Sequence, residues 1–378
     1  MTNQKFDDIR PYYDKEIPAA MQRIASSTSF PLLASYVYPD RSIKEVREQI
    51  RSYKTIRDFQ HEIMVLVNER TIEYSITDFT THGIEKLDPK KKYLFVSNHR
   101  DIMLDSSLMQ YELVRHGHET SEITFGANLM QGQLVIDIGK SNKMFRVERP
   151  GGSARDFYHA SMHLSEYIRH TITEKHDSVW IAQRNGRTKD GCDRTDQGII
   201  KMFGMSGNGS KVDALAELKI VPVAVSYEWE PCDILKAIEL YERQSGPYIK
   251  KPGEDLNSIL TGITQRKGRV HIEFCDQITR ADLMRLDHLT INEYNRQVAA
   301  LLDRRICSAY QLTPNNYIAH DIRYGTHNYA DRYTQQEFDA FTKYMQKLAK
   351  YDEDCNIEQL VDIFLGIYAN PVDSKNRM

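Results

Sequence analysis

The first ninety residues carry their apolar positions at helical intervals, in pieces interrupted by Pro11, Pro18 and Pro31. Ile43, Val46, Ile50, Tyr53, Ile56 and Ile63 recur on one helical face, so this stretch predicts a helical unit that packs that face on a partner. Residues 81–92 read as a polar connection. From residue 93 the pattern changes: apolar runs at 93–97, 179–182 and 220–228 alternate with amphipathic segments, as in a sheet flanked by helices. Between them, Ser153 and Asp156 stand at capping-box spacing before an apolar stripe of Phe157, Ala160, Leu164, Ile168 and Ile172, which predicts a crossover helix. Residues 270–274 read as a further strand. Thr290 with Glu293 opens a helix running to about Tyr310, and Thr334 with Glu337 opens one carrying Phe338, Phe341, Met345 and Leu348. The expected fold is α/β, a mixed sheet flanked by helices. Residues 1–90 form an N-terminal helical region, 91–330 the main domain and 331–378 a C-terminal helical extension packed on the body.

Composition narrows the function classes. A net charge of −3 over 378 residues, with 27% charged, excludes a polyanion such as nucleic acid as a global partner, so any anion site is local. Five cysteines, at 192, 232, 275, 307 and 355, include no Cys-x-x-Cys pair and no His/Cys set at zinc spacing, which points to a reducing compartment and to no metal. The polar start and the lack of a run of about 18–20 apolar residues argue against a secretory leader and a membrane span. The glycine-rich stretch 204–211 has no Lys directly after its last Gly and no preceding strand, so it reads as a turn and not a phosphate loop.

The chemistry concentrates where the apolar runs end. The first delivers Asn98-His99-Arg100-Asp101 and then Asp105 into one short turn. A neutral imidazole can accept a proton near neutral pH and return it, and a neighbouring carboxylate can hold the ring, so His99 is the candidate base with Asp105 or Asp101 as its orienter. Three further blocks follow: Phe145-Arg146 with Arg149, then Gln183-Arg184-Asn185-Gly186-Arg187-Thr188, then Pro222 to Tyr227. His99-Arg100-Asp101 also spells a kinase catalytic triplet, but Ser106 stands where a kinase needs Asn and no Asp-Phe-Gly occurs. No Gly-x-Ser-x-Gly elbow marks a serine hydrolase.

In order and spacing these four blocks, from Tyr93 to Glu228, resemble the glycerolipid acyltransferase superfamily, which contains the glycerol-3-phosphate and lysophosphatidate acyltransferases. The resemblance implies a glycerol-3-phosphate acyltransferase-like fold and direct acyl transfer to an alcohol. Acyl-acyl carrier protein or acyl-CoA would be co-substrate, with no other cofactor. It implies His99 as base, Asp105 or Asp101 as its partner, and Arg100, Arg146, Arg149, Asn185, Gly186, Arg187 and Thr188 as acceptor-binding residues. Block four is expected mainly to pack around the donor cleft. Two positions depart from the family's pattern. The family's His-x-x-x-x-Asp interval places Leu104 where the aspartate belongs, with Asp105 one residue later, and Asn185 replaces the usual Glu of Glu-Gly-x-Arg-Ser. Asn98 resembles the lysophosphatidate branch and Arg100 the glycerol-3-phosphate branch. The expected reaction is acylation of glycerol 3-phosphate in phospholipid synthesis, by a cytoplasmic protein held peripherally at the inner face of the membrane. The alternatives are a lysophosphatidate acyltransferase and a nonenzymatic lipid-binding protein.

Overall fold

The computed structural model describes residues 4–148, 153–351 and 355–378. Proline begins the early helices and does not break them: Pro18 and Pro31 sit in the first turns of Ile17–Ser26 and Phe30–Val37, where a missing N–H costs nothing. The apolar face that starts at Ile43 is divided at Tyr53, because the capping boxes Ser42/Glu45 and Thr55/Asp58 start separate helices, Ile43–Ser52 and Ile56–Phe59. Their buried Val46, Ile50, Tyr53 and Phe59 join Ile17, Met21, Ile24 and Phe30 in a core of their own. This unit is tied to the body by Asp137, which is fully buried and accepts from Tyr12 Oη at 2.8 Å and from Arg23 Nη2 at 2.7 Å.

Seven strands form one sheet: β1 (Ile76–His82), β2 (Leu94–Ser97), β3 (Glu122–Gly126), β4 (Met144–Val147), β5 (Val179–Ala182), β6 (Ile220–Tyr227) and β7 (Gly268–Phe274). Their order is β1-β7-β6-β2-β5-β3-β4. Every neighbouring pair is parallel except β6 with β7, so the sheet is mixed, as the alternation of runs predicts. β2 and β6 are buried on both faces, which explains their unbroken apolar sequences. One face packs Leu94, Val96, Val179, Ile181 and Ile220 against the helices Ala154–Thr173, Gln197–Met205 and Ile291–Ala309. The other packs Phe95, Trp180, Val221, Val223, Val225, Val270 and Ile272 against Leu104–Arg115.

Two details differ from the sequence reading. The N-terminal ninety residues are not wholly helical: β1 lies among them and pairs along its length with β7. At the other end, the helix Pro314–Tyr324 packs on Ile357–Asn376, and both share a core with Asp233–Glu242 and Phe341, so the C-terminal helices intrude deeper than residue 331. The expected caps Ser153, Thr290 and Thr334 each accept from the N–H of the third residue on.

Candidate active site

The site lies beyond the carboxyl ends of β2, β5 and β4, the crevice that open α/β sheets reserve for ligands. Asn98 ends β2 by pairing with β6 through its side chain: Nδ2 donates to the Val225 carbonyl at 2.9 Å, and the Val225 N–H donates to Oδ1 at 2.8 Å. The chain is thereby turned out of the sheet, and His99 is the next residue. From the neighbouring loop the Thr188 N–H donates to the His99 carbonyl at 2.7 Å, fixing that residue's backbone from a second side.

Asp105 holds the His99 ring, with Oδ2 at 2.8 Å from Nδ1. The longer His-to-Asp interval works because the additional residue is absorbed before the helix begins. Residues 100–103 wrap around the carboxylate, whose Oδ2 also accepts the N–H groups of Arg100 at 2.6 Å and Asp101 at 2.9 Å. Asp105 is then the second residue of the helix Leu104–Arg115. Tyr227, at the end of β6, donates its hydroxyl to Oδ1 at 2.8 Å. Burial alone would raise the Asp105 pKa, but these bonds, led by His99, outweigh it and hold the group below the usual aspartate range. The carboxylate is therefore ionised and fixed. Burial and the Asp105 charge push the Tyr227 hydroxyl well up, so it stays a donor.

Asp101 has a different role from the one expected. Its Oδ1 accepts from the N–H groups of Met103 and Leu104 at 2.8 and 2.9 Å, capping the helix, and it does not engage the imidazole. Burial and the neighbouring Asp105 raise its pKa, and Oδ2 has no hydrogen-bond partner among the described residues.

His99 lines a cavity of about 640 Å³. Trp180 stands edge-on to the imidazole at 5.7 Å and is held by Nε1–H donation to Ser97 Oγ. Apolar walls come from Ile102, Phe125, Leu129 and Met202. Arg146 and Arg184 supply positive charge, and Ile9 closes one side because its carbonyl accepts the Arg146 N–H at 2.9 Å. Arg146 is half-exposed and paired with Glu148 at 2.7 Å. Arg184 has no ion pair among the described residues.

The other expected binding residues divide. Asn185 and Gly186 line the cavity, and Gly186 has φ +74°, a left-handed turn that favours glycine. Thr188 is buried, and Arg187 does not line the cavity; its Nη1 is buried and has no hydrogen-bond partner among the described residues, and its charge acts on Asp101. Arg100 does not face the cavity. It is 1% exposed, donates to Asp193 Oδ2 from Nη2 at 2.7 Å and Nε at 3.1 Å, reaches Glu230 at 3.3 Å, and lies over the Tyr310 ring. Its charge is consumed internally, so it serves the fold. Arg149 lies outside the described residues. Sequence reasoning passed over Arg184, which stands beside Asn185 in the same block, and gave Tyr227 to packing. A tyrosine hydroxyl at a strand end level with a buried carboxylate was the available signal.

Residues 78–226, from within β1 to near the end of β6, match the family model described as Acyltransferase. Among solved structures, the chain is similar to the 1-acyl-sn-glycerophosphate (LPA) acyltransferase PlsC from Thermotoga maritima, at 12% identity and a TM-score of 0.37, over 78% of this chain and 95% of that one. The 54 kDa signal recognition particle protein from Aeropyrum pernix aligns at 10% identity and a TM-score of 0.21, over 84% of this chain and 78% of that one. A search of curated proteins finds no match.

Proposed function

Through residues 78–226 the chain belongs to the glycerolipid acyltransferase superfamily, and on that premise we propose that it moves a fatty acyl group from acyl-acyl carrier protein or acyl-CoA to a hydroxyl of glycerol 3-phosphate. The observation that carries this reading is a histidine fixed by a buried, ionised aspartate at the wall of a cavity lined by both apolar side chains and arginines. With Nδ1 held by Asp105, Nε2 is the nitrogen left for substrate. It takes the hydroxyl proton as the acceptor oxygen attacks the thioester carbonyl. When the tetrahedral intermediate collapses, the C–S bond breaks and the departing thiolate takes that proton from His99, so the ring ends as it began. Asp105 steadies the imidazolium in between.

Arg184 and Arg146 hold the acceptor's phosphate, a role that suits the guanidinium fork. The apolar wall of Ile102, Phe125, Leu129 and Met202 takes the acyl chain. Glycerol 3-phosphate is the favoured acceptor because a small dianion suits an arginine-bearing cavity at His99, whereas lysophosphatidate needs a further apolar groove for the chain it already carries. The discriminating experiment offers both thioesters with glycerol 3-phosphate and with lysophosphatidate and identifies the lipid product. Lysophosphatidate formed from glycerol 3-phosphate supports the reading, and phosphatidate alone transfers the enzyme to the other branch.

The same reading places the protein peripherally at the inner face of the membrane, where its product enters the bilayer. No helix of the described residues is long and apolar enough to cross a membrane. Peripheral binding is supported by the helices Phe30–Val37 and Glu254–Thr264, which both pack on Val65–Ser75 and expose Leu32, Leu33, Leu256 and Leu260, with Tyr74 on the helix between them. Flotation with anionic vesicles tests this, and failure of Leu32→Ser with Leu256→Ser to reduce binding counts against it.

A further inference from the structure

Away from this site, three side chains with metal-binding atoms meet at the free edge of the sheet. β1 is the edge strand, and its register against β7 sets His82 beside Glu273 and Thr80 beside His271. His271 and Glu273 are two residues apart on β7 and so share a face. Val270 and Ile272 point the opposite way, into the core that holds Tyr227 and Trp180. The trio is therefore on the other face of the sheet from the Asp105 partner Tyr227, and none of its members lines the cavity at His99.

One ligand atom from each of His82, His271 and Glu273 lies within 4.8 Å of the other two. Glu273 Oε2 is 3.1 Å from His271 Nε2 and 3.8 Å from His82 Nδ1. A tetrahedral ion with bonds of about 2.0–2.2 Å needs ligand-to-ligand edges of roughly 3.3–3.6 Å, and the two measured edges bracket that span. Thr80 Oγ1 sits 2.8 Å from His271 Nδ1, the kind of outer partner that fixes a ligating imidazole and leaves Nε2 for the ion. His271 is 3% exposed while His82 is open to solvent, so the cluster has a rigid base and an entry side where water can complete the coordination.

We propose that His82, His271 and Glu273 bind a divalent transition-metal ion of the zinc type, which clamps the edge strand β1 to β7. Two neutral imidazoles and one carboxylate are the nitrogen and oxygen donors such an ion takes, and a 2+ charge satisfies the one carboxylate with water in the remaining position. The ion would take the place of the contact between His271 Nε2 and Glu273, with the ring's N–H carried on Nδ1 toward Thr80. Spacing along the sequence conceals this set, because His82 and His271 come from strands 189 residues apart that only the parallel β1–β7 pairing brings together.

The test is calorimetric titration of the chelator-treated full chain with zinc chloride, alongside its thermal unfolding with and without zinc. The expected result is one zinc per chain at micromolar affinity or tighter and a higher melting temperature in zinc. His82→Ala, at an exposed position, and Glu273→Gln should each weaken binding by at least about tenfold and abolish the thermal shift. Circular dichroism of each variant confirms that the fold persists. Absence of zinc uptake by the wild type, or uptake unchanged in both variants, which would place the ion elsewhere on the chain, overturns the proposal.

Discussion

Replacing Asp105 with Asn isolates the charge behind the imidazole, because the environment dictates how the amide must sit. Oδ2 receives three donors, from His99, Arg100 and Asp101, so only the amide oxygen can occupy that place. The NH2 then faces Tyr227, whose hydroxyl can rotate from donor to acceptor. The ring keeps its hydrogen bond and loses its counter-charge. Exchanging a charged hydrogen bond for a neutral one costs about 1–2 kcal/mol. Loss of the full Coulomb term at about 4 Å and an effective dielectric of 20 sets an upper bound of about 4 kcal/mol. Turnover should therefore fall by between about tenfold and a thousandfold. Asp101→Asn, which leaves Oδ1 available to cap the helix, should change turnover by less than about threefold. The assay is thiol release with both substrates saturating, with melting temperatures as the folding control. Because the Asp105 pKa is depressed in the folded state, the stability it adds is present above the usual aspartate range and is lost only as pH falls below it. At neutral pH the kinetic comparison is thus free of titration of this group. Turnover within twofold of wild type in Asp105→Asn, or a larger loss in Asp101→Asn, would refute the assigned pairing.

Arg184→Gln and Arg146→Gln should each raise the acceptor's KM by about ten- to a hundredfold, the equivalent of one charge-assisted contact, while leaving the thioester's KM within about twofold. Arg184 should show the larger effect because Glu148 already engages Arg146. Initial rates over a grid of both substrates measure this, and equal effects on the two substrates would make the arginines structural. Arg100→Ala should instead lower stability by about 3–5 kcal/mol, because Asp193 would remain buried without its cation, while Glu230 keeps Lys236. Denaturant unfolding reads that loss, and a fully stable variant with a raised acceptor KM would return Arg100 to the binding site.

Much of this arrangement was legible in the chain, and the exceptions have physical reasons. β2, β5 and β6 are buried from both sides, so their apolar runs stand out, and the capping boxes at Ser153, Thr290 and Thr334 mark helix starts through local bonds alone. β1 escaped because an edge strand needs little apolar sequence: in Ile76–His82 only Ile76 is buried. Asp105 stands one residue beyond the family's interval, and along a helix a shift of one residue turns a side chain by about 100°. The loop at 100–103 removes that difficulty by folding around the carboxylate before the helix starts. Arg100 was expected at the substrate because an Arg after the His resembles the glycerol-3-phosphate branch, but its partners Asp193 and Glu230 lie 93 and 130 residues away. No local pattern reveals an internal ion pair of that kind. Tyr227 was visible at the end of β6, yet its hydroxyl acquires its role only when β6 pairs beside β2.

In the proposed chemistry His99 catalyses acyl transfer onto a phosphate-bearing alcohol. The most direct measurement mixes the purified protein with an acyl thioester and glycerol 3-phosphate, follows free thiol and lysophosphatidate together, and repeats the run with His99→Ala. The wild type should yield thiol and lysophosphatidate in equal amounts. The variant should keep its fold and lose about a hundred- to ten-thousandfold in rate. Thiol release without an acylated acceptor, or an unchanged rate in His99→Ala, would contradict it.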